Sequence, residues 1–245
     1  ALFSAGLRDM DAILGRDDRL VAKLADAVTK LDAKFAAIIG TPVPAVIGTD
    51  YHALKRMTEK KVDLPILTVD TDGMELYDKG EEKAWLELVR VFAGEKEDAT
   101  ANRIGILGMT PQDISDLCAA DRIRERFAAE GKTAVCYGMG DGLETVKKVS
   151  NVERNIVVSP AALEAAKYLE RTYGTPYEVG YPLVEELLPE IRTFLASGET
   201  YTIRYGIGLL MRLYLDADFQ PEYPAMVASL TSEEYYVNMM IAWFF

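Results

Sequence analysis

The sequence predicts an α/β protein built from parallel-sheet, three-layer domains and finished by a short all-helical tail. Three observations predict it. Up to about Leu195 the chain alternates short apolar runs with amphipathic stretches, the rhythm of strand-then-helix units. The turns between them are rich in Gly, Pro, Thr and Asp. Beyond Leu195 the apolar residues recur at helical spacing and no strand pattern returns.

The elements follow in order. Residues 17–31 place Leu20, Leu24, Ala27, Val28 and Leu31 on one helical face, with Asp17 or Asp18 at the start. "FAAIIG" is a short strand leading into "TPVPAVIGTD". A helix through "YHALKRMTEK", a strand "LPILTVD", a turn "TDG" and a helix "EEKAWLELVRVF" complete a first block. The polar stretch "GEKEDATAN" reads as a linker. "RIGILGM" opens a second block as a strand covered on both faces. After it, Thr110, Pro111 and Asp113 occupy the cap, first-turn and capping-box positions of the helix "ISDLCAADRIRERFAAEG". The strand "TAVCYG", the loop "MGDG", the helix "LETVKKV", the strand "NIVVS" and the helix "PAALEAAKYLERTYG" follow, and "TPYEVG" and "YPLVEELLPEI" end the series. The expected domains are 1–99, 100–192 and a helical segment 193–245, a partial helical repeat. In that tail "YTIRYGIGLLMRLYL", "EYPAMVASL" and "SEEYYVNMMIAWFF" read as helices, the last capped by Ser232.

Composition narrows the function. With 245 residues and 49% hydrophobic content the chain can bury a sizeable core, and no apolar run approaches the roughly 20 residues that span a bilayer. Two cysteines, Cys118 and Cys136, fit a reducing, cytoplasmic compartment. The net charge of -12 argues against broad nucleic-acid binding and leaves a local basic patch open. His52 is the only histidine, so no zinc His pair exists.

Ligands of open parallel sheets bind beyond the C-terminal strand ends. Four loops fall there: Gly40-Thr41-Pro42, Met109-Thr110-Pro111, Gly138 to Gly142, and Ser159-Pro160. Their backbone N–H groups suit a phosphate or carboxylate, and the same residues are ordinary helix starters. In "GMGDG", Gly138, Gly140 and Gly142 permit positive φ and close approach, and Asp141 either meets a ligand or caps the next helix. Asp70 and Asp72 in "VDTDG" suit a cation or, equally, an Asp-Gly turn. The candidate ligand residues are Thr41 and Ser159 as hydroxyl donors, Asp72 and Asp141 as orienting carboxylates, and Gly140 and Gly142 as backbone contacts. No general acid or base is identifiable.

These segments resemble the oxidoreductase/nitrogenase component 1 family. The opening "SAGLRDMDAILGRDDRLVAKLADAV" is similar to the family's entry into its first cluster-bearing domain, and "FAAIIGTPVPAVIGTDYHAL" to a strand followed by its helix start. "RIGILGMTPQDISDL", "GDGLETVKKV" and "NIVVSPAALEAAKYLERTYGTPYEVGYPLVEELL" continue in the family's order. The resemblance implies redox or cofactor-related metabolism and paired subunits. It also places the first-cluster cysteine at Pro42 and the cofactor-anchoring cysteine at about Ser159, neither of which carries a thiolate. The segment bearing the other cluster cysteines is expected to be absent. Nitrogen reduction is therefore not expected, and an iron–sulfur cluster is expected only with ligands from a partner chain, such as a redox subunit in a homo- or hetero-oligomer. A small anionic ligand is the other expectation.

The tail resembles a second family. "FLASGETYTIRYGIGLLMRLYLDADFQPEYP" and "SEEYYVNMMIAWFF" are similar to helical-repeat DNA alkylation repair proteins. That resemblance implies a DNA surface from Arg204, Arg212, Tyr235, Tyr236 and Trp243, of which the aromatic residues read equally as core. A noncatalytic partner subunit is the third function class.

Overall fold

The computed structural model describes residues 1–4, 6, 17–95, 102–114, 116–215 and 219–245. Most of the opening segment and of the expected linker lies outside the described residues. Six strands form two parallel sheets, as the apolar runs predict. β1 (Ala36–Ile39) pairs with β2 (Ile66–Val69), and β3 (Arg103–Leu107), β4 (Thr133–Cys136), β5 (Arg154–Val157) and β6 (Tyr177–Val179) form the order β4-β3-β5-β6. The chain divides into two compact units, Ala1–Gly180 and Tyr181–Phe245.

In the first unit, α1 (Asp17–Thr29) packs on α3 (Tyr51–Glu59) through Val21, Tyr51 and Leu54, and α3 lies on β2. Asp50 caps α3 by accepting from the Ala53 amide at 2.9 Å. The short α2 (Pro42–Val46) follows β1. The main core lies between the second sheet and two helices, α4 (Tyr77–Phe92) and α7 (Leu163–Tyr173). Leu107, Val135, Tyr137 and Val157 from the strands meet Trp85, Val89 and Phe92 of α4 and Ala165, Ala166 and Leu169 of α7. Each large side chain buried there contributes about 1.5–3 kcal/mol. Strand alternation turns Cys136 to the opposite face, where its thiol meets the carbonyl of Ala120 in α5 (Ala119–Ala129). Helices thus cover both faces of a parallel sheet, the three-layer arrangement the alternation predicts.

Four elements depart from the sequence expectation. The helix expected after Thr110 begins only at Ala119, because Pro111–Asp113 forms a turn and the Asp116 carboxylate accepts from the Cys118 amide at 2.8 Å just before α5. Cys118 consequently sits at the helix start, not inside it. α4 begins at Tyr77, ahead of the expected Glu81. α6 (Leu143–Val146) is a single turn, and Pro160–Ala162 forms a 3-10 turn before α7.

The second unit is helical: α8 (Val184–Leu195), α9 (Thr200–Leu213), α10 (Glu222–Ala228) and α11 (Tyr235–Phe244). Leu187, Ile191, Leu195, Ile207, Leu210, Tyr223, Val227 and Phe244 form its own core. Gly206 lets α9 approach α8: a Cβ there would stand 3.1 Å from Leu195 and Phe194. Ser232 accepts from the Glu234 amide at 3.1 Å, so it shapes the turn while Glu234 holds the cap position.

Candidate functional site

The chain leaves β3 towards β4 on one side and returns to β5 on the other. The topological switch point therefore lies between β3 and β5. Leu107 and Val157 are in register, so the loops after these strands leave the same edge side by side. Gly108, at φ 88°, makes their approach possible, since a Cβ there would come within 2.8 Å of the Ser159 Cβ.

Ser159 is 3% exposed. Its hydroxyl donates to Asp113 Oδ2 in a short hydrogen bond and accepts from the Ala161 amide at 3.2 Å. Asp113 is buried too, and its Oδ1 accepts from the Tyr77 phenol at 2.9 Å. Nearby in the chain, the Thr110 backbone carbonyl accepts from the Asp113 and Ile114 amides, while its buried hydroxyl has no partner among the described residues. Tyr77, Asp113 and Ser159 thus form one hydrogen-bonded set at the switch point, with the Tyr77 ring half in solvent. The set can orient a polar ligand by hydrogen bonds; its one carboxylate disfavours a bare anion placed directly on it. Asp113 was expected to close a capping box. The fold instead turns it away from its own backbone towards partners 36 and 46 residues distant in sequence.

The other sequence candidates fall elsewhere. Asp141 Oδ2 accepts from Arg124 Nη2 and from the Cys136 amide, each at 2.9 Å, and Arg124 also reaches the Met139 carbonyl at 3.2 Å. Asp141 therefore ties the loop after β4 together. Gly138 and Gly140 adopt φ of 111° and 85°, whereas Gly142 sits at φ -93°, a region open to any residue, and does not use the freedom a glycine permits. Asp72 makes the Asp-Gly turn: its Oδ1 accepts from the Met74 amide at 2.8 Å and the Glu75 amide at 3.3 Å. The Met74 amide bond above all, with the Glu75 amide and a lesser contribution from the Lys83 charge, lowers its pKa below the ordinary carboxylate value against the cost of desolvation. Lys83 itself bonds the Asp70 carbonyl at 2.8 Å and Glu75 at 2.6 Å. Thr41 is exposed at the start of α2 and makes no side-chain cap bond. Thr41 and Asp72 belong to the edge of the first sheet, Ser159 and Asp141 to that of the second.

Neither thiol suits a cluster. Burial pushes Cys136 up to about 11, which keeps it protonated, and Cys118 is exposed at the start of α5. Among the described residues no group of three His, Cys, Asp or Glu side chains could hold a metal ion. The residues present do not fit a thiolate-held iron–sulfur cluster. Nor, among the described residues, is any helix long and apolar enough to cross a membrane.

In the second unit Arg204 lies 5.5 Å from the Tyr201 ring centre and 5.2 Å from that of Tyr236, with its Nε buried and without a hydrogen-bond acceptor among the described residues. Tyr235 and Trp243 are exposed, as is Arg212 in the last turn of α9.

The family model for nitrogenase component 1 type oxidoreductases matches residues 1–184, three-quarters of the chain, including both sheets and the switch point. The chain belongs to this family. Its similarity extends to curated proteins named nitrogenase iron-molybdenum cofactor biosynthesis protein NifE. That of Bradyrhizobium diazoefficiens is 23% identical over 190 residues, covering 73% of this chain and 33% of the relative. That of Klebsiella pneumoniae is 24% identical, covering 73% and 41%. That of Clostridium pasteurianum is 24% identical, covering 71% and 38%. The chain thus spans about a third to two-fifths of the length of these relatives. Two solved structures of nitrogenase Cp1, at pH 5 and pH 6.5, share the fold with TM-scores of 0.62 and 0.63. Sequence identities there are 18% and 17%, with 86% of this chain covered in each and 43% and 41% of the other. This nitrogenase component 1-like chain has proline at position 42 and serine at position 159, neither of which offers a thiolate.

Proposed function

We propose that this nitrogenase component 1-like chain takes part in cofactor metabolism as a binding subunit, and does not itself reduce nitrogen. The observation that carries the reading is the Tyr77–Asp113–Ser159 set at the switch point, where hydroxyl and carboxylate groups stand in place of a thiolate. Oxygen groups there orient a cofactor by hydrogen bonding and leave soft-metal ligation to another chain. An iron–sulfur cluster would take its thiolates from a partner subunit. Asp141, Gly140 and Gly142 shape the neighbouring loop, and Thr41 and Asp72 line the edge of the first sheet. The relatives named for iron-molybdenum cofactor biosynthesis support the same direction.

The test is anaerobic isolation from the source organism, with iron and acid-labile sulfide determination and native mass spectrometry of the intact assembly. Iron and sulfide held only in complexes with a second subunit, and lost on Ser159→Leu substitution, are the expected result. A metal-free assembly, or iron retained by the isolated chain, overturns the reading.

A second reading is favoured by Arg204, a cation packed on the Tyr201 and Tyr236 rings whose Nε has no acceptor among the described residues. Such pairs of rings and guanidinium suit nucleic acid. On this reading Arg204, Arg212, Tyr235, Tyr236 and Trp243 form a DNA-binding surface of the alkylation-repair kind. It requires duplex-DNA binding that weakens steeply with salt and is reduced by Arg204→Ala in fluorescence anisotropy. Salt-independent or absent binding sinks it.

A further inference from the structure

The hydrogen-bonded set at the switch point runs from solvent inward. Tyr77 is 51% exposed, Asp113 8% and Ser159 3%. The Tyr77 phenol donates to Asp113 Oδ1 while the Ser159 hydroxyl donates to Oδ2, so the half-exposed ring closes the outer side of a buried carboxylate. A group entering from solvent on this side meets Tyr77 before it meets Asp113 or Ser159.

The segment that carries Tyr77 is loosely held. It leaves β2 through a turn in which Gly73 holds φ 73°, and Gly80 stands in the first turns of α4, where a glycine weakens a helix. Between the two glycines Met74 is 83% and Leu76 78% exposed, so neither anchors the segment by packing. Leu76 occupies the cap position of α4 and supplies no side-chain cap bond, which leaves the first helical amides without that stabilisation. The Glu75–Lys83 pair joins two exposed side chains, and such pairs contribute little. Further along, α4 is fixed in the core by Trp85, Val89 and Phe92. The bond from Tyr77 to Asp113 therefore ties a segment poor in buried contacts, the kind that opens locally, to a rigid sheet edge.

We propose that Tyr77 is the gate of this site, and that the site behind it takes a group that donates hydrogen bonds, a hydroxyl or an ammonium, in preference to an anion. The proposal rests on the reading of the switch point as a binding site and names the chemistry that site accepts. In the closed form the phenol occupies the donor's place on Asp113. A ligand that turns the ring out to solvent must return a donor to Oδ1, because a buried carboxylate left short of one is destabilised. A hydroxyl or ammonium group does so. An ionised carboxylate offers no donor and adds repulsion.

The test places a thiol behind the gate. Ser159→Cys is made in the full chain together with Cys118→Ser, and the Cys118→Ser chain alone gives the background from the buried Cys136. Labelling rates are measured with two methanethiosulfonates of similar size, the aminoethyl cation and the sulfonatoethyl anion, each relative to its rate with free cysteine. Adding Tyr77→Phe, which keeps the ring and removes the hydroxyl, is expected to speed labelling by about tenfold or more, the ratio that one net hydrogen bond supports. The cation is expected to outpace the anion by about tenfold, and Asp113→Asn to abolish that preference. As a second measurement that needs no introduced cysteine, Tyr77→Phe alone should speed hydrogen exchange of the Lys79 to Glu82 amides and leave those of α7 unchanged. Labelling or exchange that ignores the Tyr77 hydroxyl, or a thiol that stays unreactive in every form, overturns the gate. Equal rates for the two reagents, a faster anion, or a preference that survives Asp113→Asn overturns the ligand class. None of these outcomes touches the cofactor reading, which stands or falls on iron, sulfide and the partner subunit.

Discussion

At the scale of single residues, the identity of a site group depends on what its side chain can reach. Ser159 and Asp113 are both buried and satisfy each other, so removing the hydroxyl leaves a carboxylate oxygen short of a donor. Ser159→Ala is expected to cost about 1–3 kcal/mol in urea unfolding; a cost near zero would show that the bond contributes nothing. Asp50 gives a pH-dependent case. The Ala53 amide, its largest influence, holds the Asp50 carboxyl below the ordinary carboxylate value, against a desolvation cost and with smaller help from the His52 amide and Arg56. A depressed carboxylate stabilises the fold above its unfolded pKa, and the gain is lost as pH falls through the folded one. Wild type is therefore expected to be more stable than Asp50→Asn at pH 6, with the gap closing below pH 3.8, as thermal melts at each pH would reveal. The sequence pointed to Ser159 by its place after a strand. Asp113 read there only as a capping-box acid and Tyr77 not at all, because their bonds join residues dozens of positions apart.

At the scale of elements, short loops fix the relative placement of strands. Gly138 adopts φ 111°, and any Cβ there would collide with the Met109 carbonyl and crowd Trp85. Gly138→Ala is expected to lose more than about 2 kcal/mol, since left-handed backbone alone costs roughly 1–2 kcal/mol before the collision is added. Chemical denaturation followed by Trp85 fluorescence measures it, and full stability in the variant would mean that the loop can rearrange. The strand runs were legible because parallel strands covered on both faces are continuously apolar, as in "RIGIL" and "NIV". The late start of α5 was not. Pro111 and Asp113 satisfy every local rule for opening a helix, but the Asp113 side chain is held by Tyr77 and Ser159.

At the scale of the whole molecule, the two units carry one tryptophan each, Trp85 buried in the first and Trp243 exposed in the second. Iodide is expected to quench only the Trp243 emission of the folded chain, and Trp243→Phe should remove the quenchable fraction. Quenching that persists in that variant would place Trp85 in solvent. Family membership belongs to this scale too, since the match runs through both sheets. With a third to two-fifths of the relatives' length in hand, their activity reaches this chain only as a proposal.

The sequence by itself determined the alternation of strands and helices, the parallel sheets and the helical tail, because apolar periodicity and strand-end residues are local signals. It also determined that Pro42 and Ser159 offer no thiolate. Only the tertiary structure decided which candidates act together. Asp141 went to Arg124, Asp72 to its own turn, and Ser159 to Asp113, which also accepts from Tyr77. Those choices follow from the strand order that sets β5 beside β3 and from the helix that brings Tyr77 to their edge, and no spacing along the chain encodes such long-range pairing.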